Sequence, residues 1–265
     1  MKISVITVCY NEAATIEKTL ESIFNQTYQN IEFIVIDGGS TDGTLDIIEK
    51  YKDKIAYFVS EPDEGIYNAM NKGIKASSGE VLYFLNANDT LYSDDVLETV
   101  VSVFEKGNYD FVYGNINLLY PEKNKIKKHN KDINYYTLLS LQICHQAIFY
   151  KKSLFDRFGL YDENFFIAAD HDFNMKILTN RKTKNFYLNT IIARFDQTGI
   201  SSDKKYKKIL KIENSLIFYK YAFSTPLLKI NYYLKCFFAD PLILFKPQKL
   251  YQHINRLYYY TMPLN

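Results

Sequence analysis

This sequence predicts an α/β fold: one mostly parallel sheet flanked by helices, with a helical C-terminal extension. Three observations carry that reading. Short apolar runs alternate with segments whose apolar residues recur at helical spacing. Turn and cap residues punctuate the alternation, so each run reads as a separate element. Composition is that of an ordinary globular protein: 265 residues, 47% hydrophobic and 23% charged, enough for one domain with a full core and unlike a disordered or fibrous chain.

The elements follow in order. Ile3 to Val8 is an apolar run and reads as the first strand. Asn11 to Thr15 supplies turn and cap chemistry, and Ile16 to Phe24 carries the helical repeat. A second buried strand, Ile31 to Ile36, ends at Asp37, and a glycine-rich turn, Gly38 to Gly43, leads into a helix from Thr44 to about Tyr51. Ile55 to Val59 and Val81 to Leu85 are two more strands. Between them a helix around Ile66 to Ala76 stops at Ser77-Ser78-Gly79. The last of these strands runs directly into Asn86-Ala87-Asn88-Asp89.

Charge and cysteine content narrow the function. A formal net charge of +2 excludes nucleic acid as the main partner, because phosphate-tracking proteins carry a large basic excess. Cys9, Cys144 and Cys236 are odd in number and lack metal-ligand spacing, which excludes a disulfide framework or zinc site and fits the cytoplasm. The N-terminal apolar run is too short for a signal peptide and reads as retained structure. No stretch approaches the roughly 18 uncharged apolar residues of a membrane span. Tyr (24) and Phe (19) are plentiful beside no Trp, a bias read as gene base composition rather than aromatic chemistry.

In open parallel sheets, ligands bind beyond the carboxyl ends of strands where strand order reverses. Thr7 to Glu12, Asp37 and Asn86 to Asp89 occupy such ends. The stretch Val5 to Glu12 (VITVCYNE), followed by Val35 to Thr44 (VIDGGSTDGT), resembles the start of the family 2 glycosyltransferases. Glu61 to Gly73 (EPDEGIYNAMNKG) is similar to a segment of the branch acting in bacterial capsule, colanic acid and O-antigen assembly. The resemblance runs from residue 3 to about 200 and implies a GT-A fold, with a Rossmann-like sheet.

It also implies a nucleotide-sugar donor, with UDP as the nucleotide, held by Thr7, Tyr10, Glu12, Asp37, Asp63, Lys72, Asn86 and Asn88. Each residue keeps a plainer reading. Asp37 can cap the Gly38 to Thr41 turn. Glu12 can be an early-helix carboxylate and Thr7 a strand residue with β propensity. Family members carry an Asp-x-Asp motif that holds Mn²⁺ or Mg²⁺ against the diphosphate. Here both acid positions are amides, Asn86 and Asn88, which leaves Asp89 as the one anionic metal ligand or, alternatively, as a cap of the next helix.

Leu118 to Asn134 is Lys-rich and reads as a solvated excursion between a donor half (1–115) and an acceptor half (116–200). Gln142 to Tyr150 resembles the branch's acceptor-side strand and places His145 as an acceptor or diphosphate contact, against a purely structural histidine. Ala168 to Lys176 matches the family's acidic base motif, and Asp170 falls on the base position, against an N-cap. Asp172 is a secondary acceptor-side candidate, and Lys176 stands where the family commonly has Arg. Inverting transfer needs one carboxylate to take the acceptor's proton, since a diphosphate leaves without an acid.

Residues 201–265 form a basic, aromatic extension in which Leu210, Leu216, Ile217, Tyr221, Leu227, Leu228, Tyr232 and Phe237 suggest amphipathic helices. Two readings stand for 204–260: contact with an anionic membrane at the inner face of the cell, or packing and dimerisation. The acceptor implied is a glycan or lipid-linked glycan of a bacterial surface polysaccharide. A dehydrogenase is excluded because no glycine follows the first strand, in Val8 to Glu12. A sugar nucleotidyltransferase and a catalytically impaired nucleotide-sugar or glycan-binding module remain as rivals.

Overall fold

The structure, a computed structural model, describes residues 1–139, 141–197, 199 and 203–222. Two compact units divide the chain, Met1–Leu210 and Lys211–Asn265. Leu227, Leu228, Tyr232, Cys236, Phe237 and most of the expected membrane or dimer segment lie outside the described residues.

β1 (Ile3–Cys9) is buried at all seven positions, as a strand covered on both faces must be. α1 (Ile16–Phe24) buries Ile16, Leu20 and Ile23, one stripe at i, i+4 and i+7. Each side chain contributes about 1.5–3 kcal/mol of gross burial energy. β2 (Ile31–Asp37), α2 (Thr44–Glu49) and β3 (Tyr57–Ser60) continue the alternation. α3 (Ile66–Ala76) presses its Gly73 onto β1, where a Cβ would stand 2.4 Å from Ile6 Cγ2, so only glycine lets the helix approach this closely. β4 (Val81–Phe84), β5 (Thr90–Leu91), α4 (Val96–Lys106) and β6 (Phe111–Leu119) complete the first half.

The second half holds β7 (Lys125–Lys127), α5 (Tyr135–Leu138), β8 (Ile148–Lys151), α6 (Ser153–Phe158), α7 (Ala169–Thr179), β9 (Asn185–Asp196) and α8 (Lys207–Ala222). Sheet order is β3-β2-β1-β4-β8-β6-β9-β5, with β7 paired to β6. β1 pairs in parallel with both β2 and β4, so the order reverses at β1, and the crevice between the carboxyl ends of β1 and β4 is the predicted ligand edge. β8 is antiparallel to β4 and to β6. β6 and β9 therefore run in the same direction as β1, and their carboxyl ends reach the same edge.

The plentiful aromatic residues do pack. Tyr83 stacks on Phe149 with ring centroids 4.1 Å apart, joining β4 to β8. Phe155 stacks on Phe173 at 4.3 Å, and Tyr161 meets both edge-on, fixing α7 beneath the acceptor half. The excursion after Leu118 is more ordered than its charge suggests: residues 125–127 pair with β6, and His129 is buried. Its lysines point to solvent while main-chain pairing, which composition does not report, organises it.

Candidate active site

The floor of the crevice is a set of interlocked turns. Asn11, at φ +54°, turns the chain after β1; its amide N–H donates to Ser40 Oγ at 2.8 Å and its Oδ1 accepts from Thr41 N at 2.9 Å. Asp37 accepts from Gly39 N (3.0 Å), Ser40 N (2.9 Å), Ser40 Oγ (2.5 Å) and Ser60 Oγ (2.7 Å) and is fully buried. Burial pushes its carboxyl up, but the Ser40 and Ser60 bonds outweigh it and hold the pKa below the usual carboxylate value. In this arrangement Asp37 brackets the turn, with its oxygens directed inward.

Above that floor, Tyr10 is 54% exposed at the end of β1. Its ring and Asp63 Oδ2 close over Gly38 so tightly that a Cβ there would meet each at 3.3 Å. Asp63 Oδ1 accepts from Lys72 Nζ at 2.6 Å, and Lys72 also pairs with Glu61 at 2.7 Å. Tyr10, Asp63 and Lys72 thus form one wall. Glu12 stands at the rim, half-buried, with Thr15 Oγ1 donating to its Oε2 at 2.6 Å. Burial raises its pKa. Thr7 is fully buried, and its hydroxyl donates to the Leu85 carbonyl at 2.7 Å, tying β1 to the end of β4.

The turn after β4 divides its side chains. Asn86 Nδ2 lies 3.1 Å from His145 Nε2, while its Oδ1 is buried without a hydrogen-bond partner. Asn88 adopts φ +85°. Asp89 turns inward and is 3% exposed. Its Oδ1 accepts from Asp196 N at 3.0 Å and its Oδ2 from Gln146 Nε2 at 2.7 Å. Burial raises its pKa from the ordinary 3.8 to about 7. The residue before α4 is Asp95, so Asp89 does not cap that helix.

The acceptor side brings Asp170, His145 and Tyr67 together. Asp170 is the second residue of α7, whose N-cap position belongs to Ala168, so the capping role is not its own. His145 Nδ1 faces Asp170 Oδ2 at 3.5 Å, with Nε2 turned to Asn86. The Tyr67 hydroxyl lies between the Ile167 carbonyl at 2.5 Å and Asp170 Oδ1 at 3.1 Å and shares its one proton between them. Burial pushes the Asp170 carboxyl up; the hydrogen bond and charge of His145, with His171 beside it, outweigh this and hold the pKa below the usual value. Asp170 is therefore ionised at neutral pH, and its side chain remains 15% exposed. Asp172, by contrast, is 1% exposed, and Lys176 Nζ is spent on the Phe158 carbonyl at 3.1 Å. The helix turns Asp172 into the core.

Tyr67 and Gln146 are the participants that sequence reasoning passed over. Tyr67 lay within the EPDEGIYNAMNKG segment, and its position as second residue of a helix behind a glycine was the available signal. Gln146 adjoined His145 but carried no local signal, because its partner Asp89 is distant in sequence.

The sequence pattern of the family described as "Glycosyl transferase family 2" matches residues 4–166. A "PGL/p-HBAD biosynthesis glycosyltransferase" of Mycobacterium bovis is 34% identical over 221 residues, covering 80% of this chain and 85% of the relative. Among solved structures, S. aureus TarS 1-349 in complex with UDP-GlcNAc aligns with a TM-score of 0.66 at 19% identity, over 82% of this chain and 66% of that one. A mannosyltransferase of Pyrobaculum calidifontis in complex with GDP-Man and Mn²⁺ aligns with a TM-score of 0.60 at 18% identity, over 98% of this chain and 84% of that one.

Proposed function

The chain belongs to glycosyl transferase family 2 and is a glycosyltransferase, and from that premise we propose that it moves a sugar, with inversion, from a UDP-sugar to a hydroxyl of a glycan or lipid-linked glycan in the assembly of a bacterial surface polysaccharide. The observation that carries the reading is Asp170: an ionised, partly accessible carboxylate held by His145 and Tyr67 at the edge where the donor crevice opens. The acceptor oxygen bonds to the anomeric carbon as the bond from that carbon to the diphosphate oxygen breaks. The hydroxyl proton passes to Asp170, and the electron pair leaves with the nucleoside diphosphate. His145 and Tyr67 orient the carboxylate.

On the donor side, the Tyr10 ring and the Asp63–Lys72 pair face the nucleoside, Asp37 shapes the floor beneath it, and Glu12 stands at its rim. Asn86 and Asn88 meet the diphosphate-sugar end as neutral amides. A divalent cation held by this turn does not fit the residues present. Its one carboxylate, Asp89, is buried with both oxygens hydrogen-bonded, and the amides beside it carry no charge. UDP-sugar use is supported by the fold's likeness to a protein solved with UDP-GlcNAc, and a biosynthetic role by the mycobacterial relative's name, "PGL/p-HBAD biosynthesis glycosyltransferase".

The test is a nucleotide-release assay over UDP-, GDP- and dTDP-sugars with bacterial glycolipid acceptors, comparing the wild type with Asp170→Asn. Removal of a general base lowers turnover by about 10²–10⁴-fold. Near-native release by a folded Asp170→Asn protein sinks the assignment. The amides at Asn86 and Asn88 favour one second reading, a nucleotide-sugar-binding module, which donor binding without release from any donor supports.

A further inference from the structure

The β6–β7 hairpin lies outside the machinery described above. Residues 120–128 are exposed without interruption. Between Tyr120 and Lys131 five lysines (Lys123, Lys125, Lys127, Lys128 and Lys131) stand against Glu122 alone, in a chain whose net charge is only +2. Two large apolar side chains stay in solvent among them, Tyr120 at 42% and Ile126 at 51% exposed. Lysines on an edge strand discourage stray strand pairing. That accounts for Lys125 and Lys127 but leaves Tyr120 and Ile126 uncovered.

Topology places the hairpin at the rim of the site. β6 runs parallel to β9 with Leu119 opposite Asp196, and the amide of Asp196 holds Asp89 Oδ1 in the donor turn. Tyr120, the next residue, therefore leaves the sheet at the carboxyl edge, beside the Asn86–Asp89 turn. His129 anchors the returning strand: its Nδ1 bonds the Gly114 carbonyl at 2.6 Å, and its Nε2 accepts from Cys144 N, one residue before His145, at 3.3 Å.

We propose that this hairpin docks the protein on an anionic phospholipid surface, with Ile126 and Tyr120 entering the headgroup boundary and the lysines meeting lipid phosphates. The combination selects the partner. A soluble polyanion would need the lysines only, whereas an anionic bilayer rewards cationic stems with apolar tips between them. Docking here presents the crevice rim to the membrane, where a lipid-linked hydroxyl arrives.

The chain contains no Trp, so Ile126→Trp makes a single-site reporter. Full-length protein is floated with vesicles of phosphatidylcholine alone and of phosphatidylcholine with phosphatidylglycerol, without donor or acceptor, so the result is independent of the transfer reaction. The expected result is flotation with the anionic vesicles only and a blue shift of the Ile126→Trp emission. A Tyr57→Trp control on β3, 44% exposed at the far edge of the sheet, stays unshifted. Replacing Lys125, Lys127 and Lys128 with Gln lowers partitioning on the order of 100-fold, from roughly fivefold per lysine at an anionic surface. No flotation, or flotation with an unshifted Ile126→Trp signal, overturns the proposal, the second assigning contact to another part of the chain. A shift with soluble polyphosphate and none with vesicles overturns it in favour of a polyanion.

Discussion

Asp170 works through its two neighbours. His145 and Tyr67 each occupy one carboxylate oxygen, and an acceptor hydroxyl approaches the remaining lone pairs. Because the His145 hydrogen bond and charge help hold the Asp170 pKa down, removing the ring lets burial raise it. Asp170 must be ionised to receive a proton, so activity falls as pH drops through its pKa. His145→Gln is therefore expected to move the acid limb of the kcat/KM profile to higher pH, with donor Kd unchanged. A purely structural histidine would lower the amount of folded enzyme without moving that limb. Thr7 and Asp37 belong to this scale too. Thr7 has spent its hydroxyl on Leu85, and Asp37 has turned its oxygens onto its own turn, neither of which residue type alone decides.

Strands and helices are held in register by polar clasps as well as by burial. At the edge opposite the crevice, Glu32 on β2 accepts from Ser4 Oγ on β1 at 2.5 Å, from Ser78 N at 2.6 Å before β4, and from Lys2 Nζ at 2.9 Å. Burial pushes its carboxyl up, but these bonds prevail and bring the pKa from 4.5 to about 2. A depressed folded pKa contributes stability that is present above the unfolded value and is lost as pH falls through the folded one. The thermal unfolding midpoint of Glu32→Gln should therefore lie below that of the wild type at neutral pH, with the gap closing between about pH 4.5 and about pH 2. A gap constant across that range would show that the clasp is not ionic. Helix placement rests on similarly local devices: α3 lies flush on β1 because Gly73 carries no side chain to strike Ile6.

The molecule as a whole is organised so that a turn read by one half of the chain is completed by the other. Asp89 leaves the donor turn to join Gln146 and the amide of Asp196, both from the acceptor half. Its raised pKa gives it the opposite linkage to Glu32: the contribution is present below 3.8 and is lost as pH rises towards about 7. Asp89→Asn should flatten stability over that window and leave the response of turnover to Mn²⁺ unchanged; a Mn²⁺ response abolished by the substitution would restore Asp89 as a ligand. The strands and helices from Ile3 to Phe84 were legible in the sequence because burial period, glycine turns and helix stops are local properties of the chain. So were the strand ends that carry the candidate site. Tertiary structure alone decided that Tyr67, Asn86, His145 and Asp170 meet, that Asp89 and Asp172 turn inward, and that a lysine-rich excursion becomes a hairpin at the crevice rim. The physical reason is that a polar side chain at a strand end turns towards whichever partner satisfies it, and for Asn86 and Asp89 those partners arrive from residues 57 to 107 positions away.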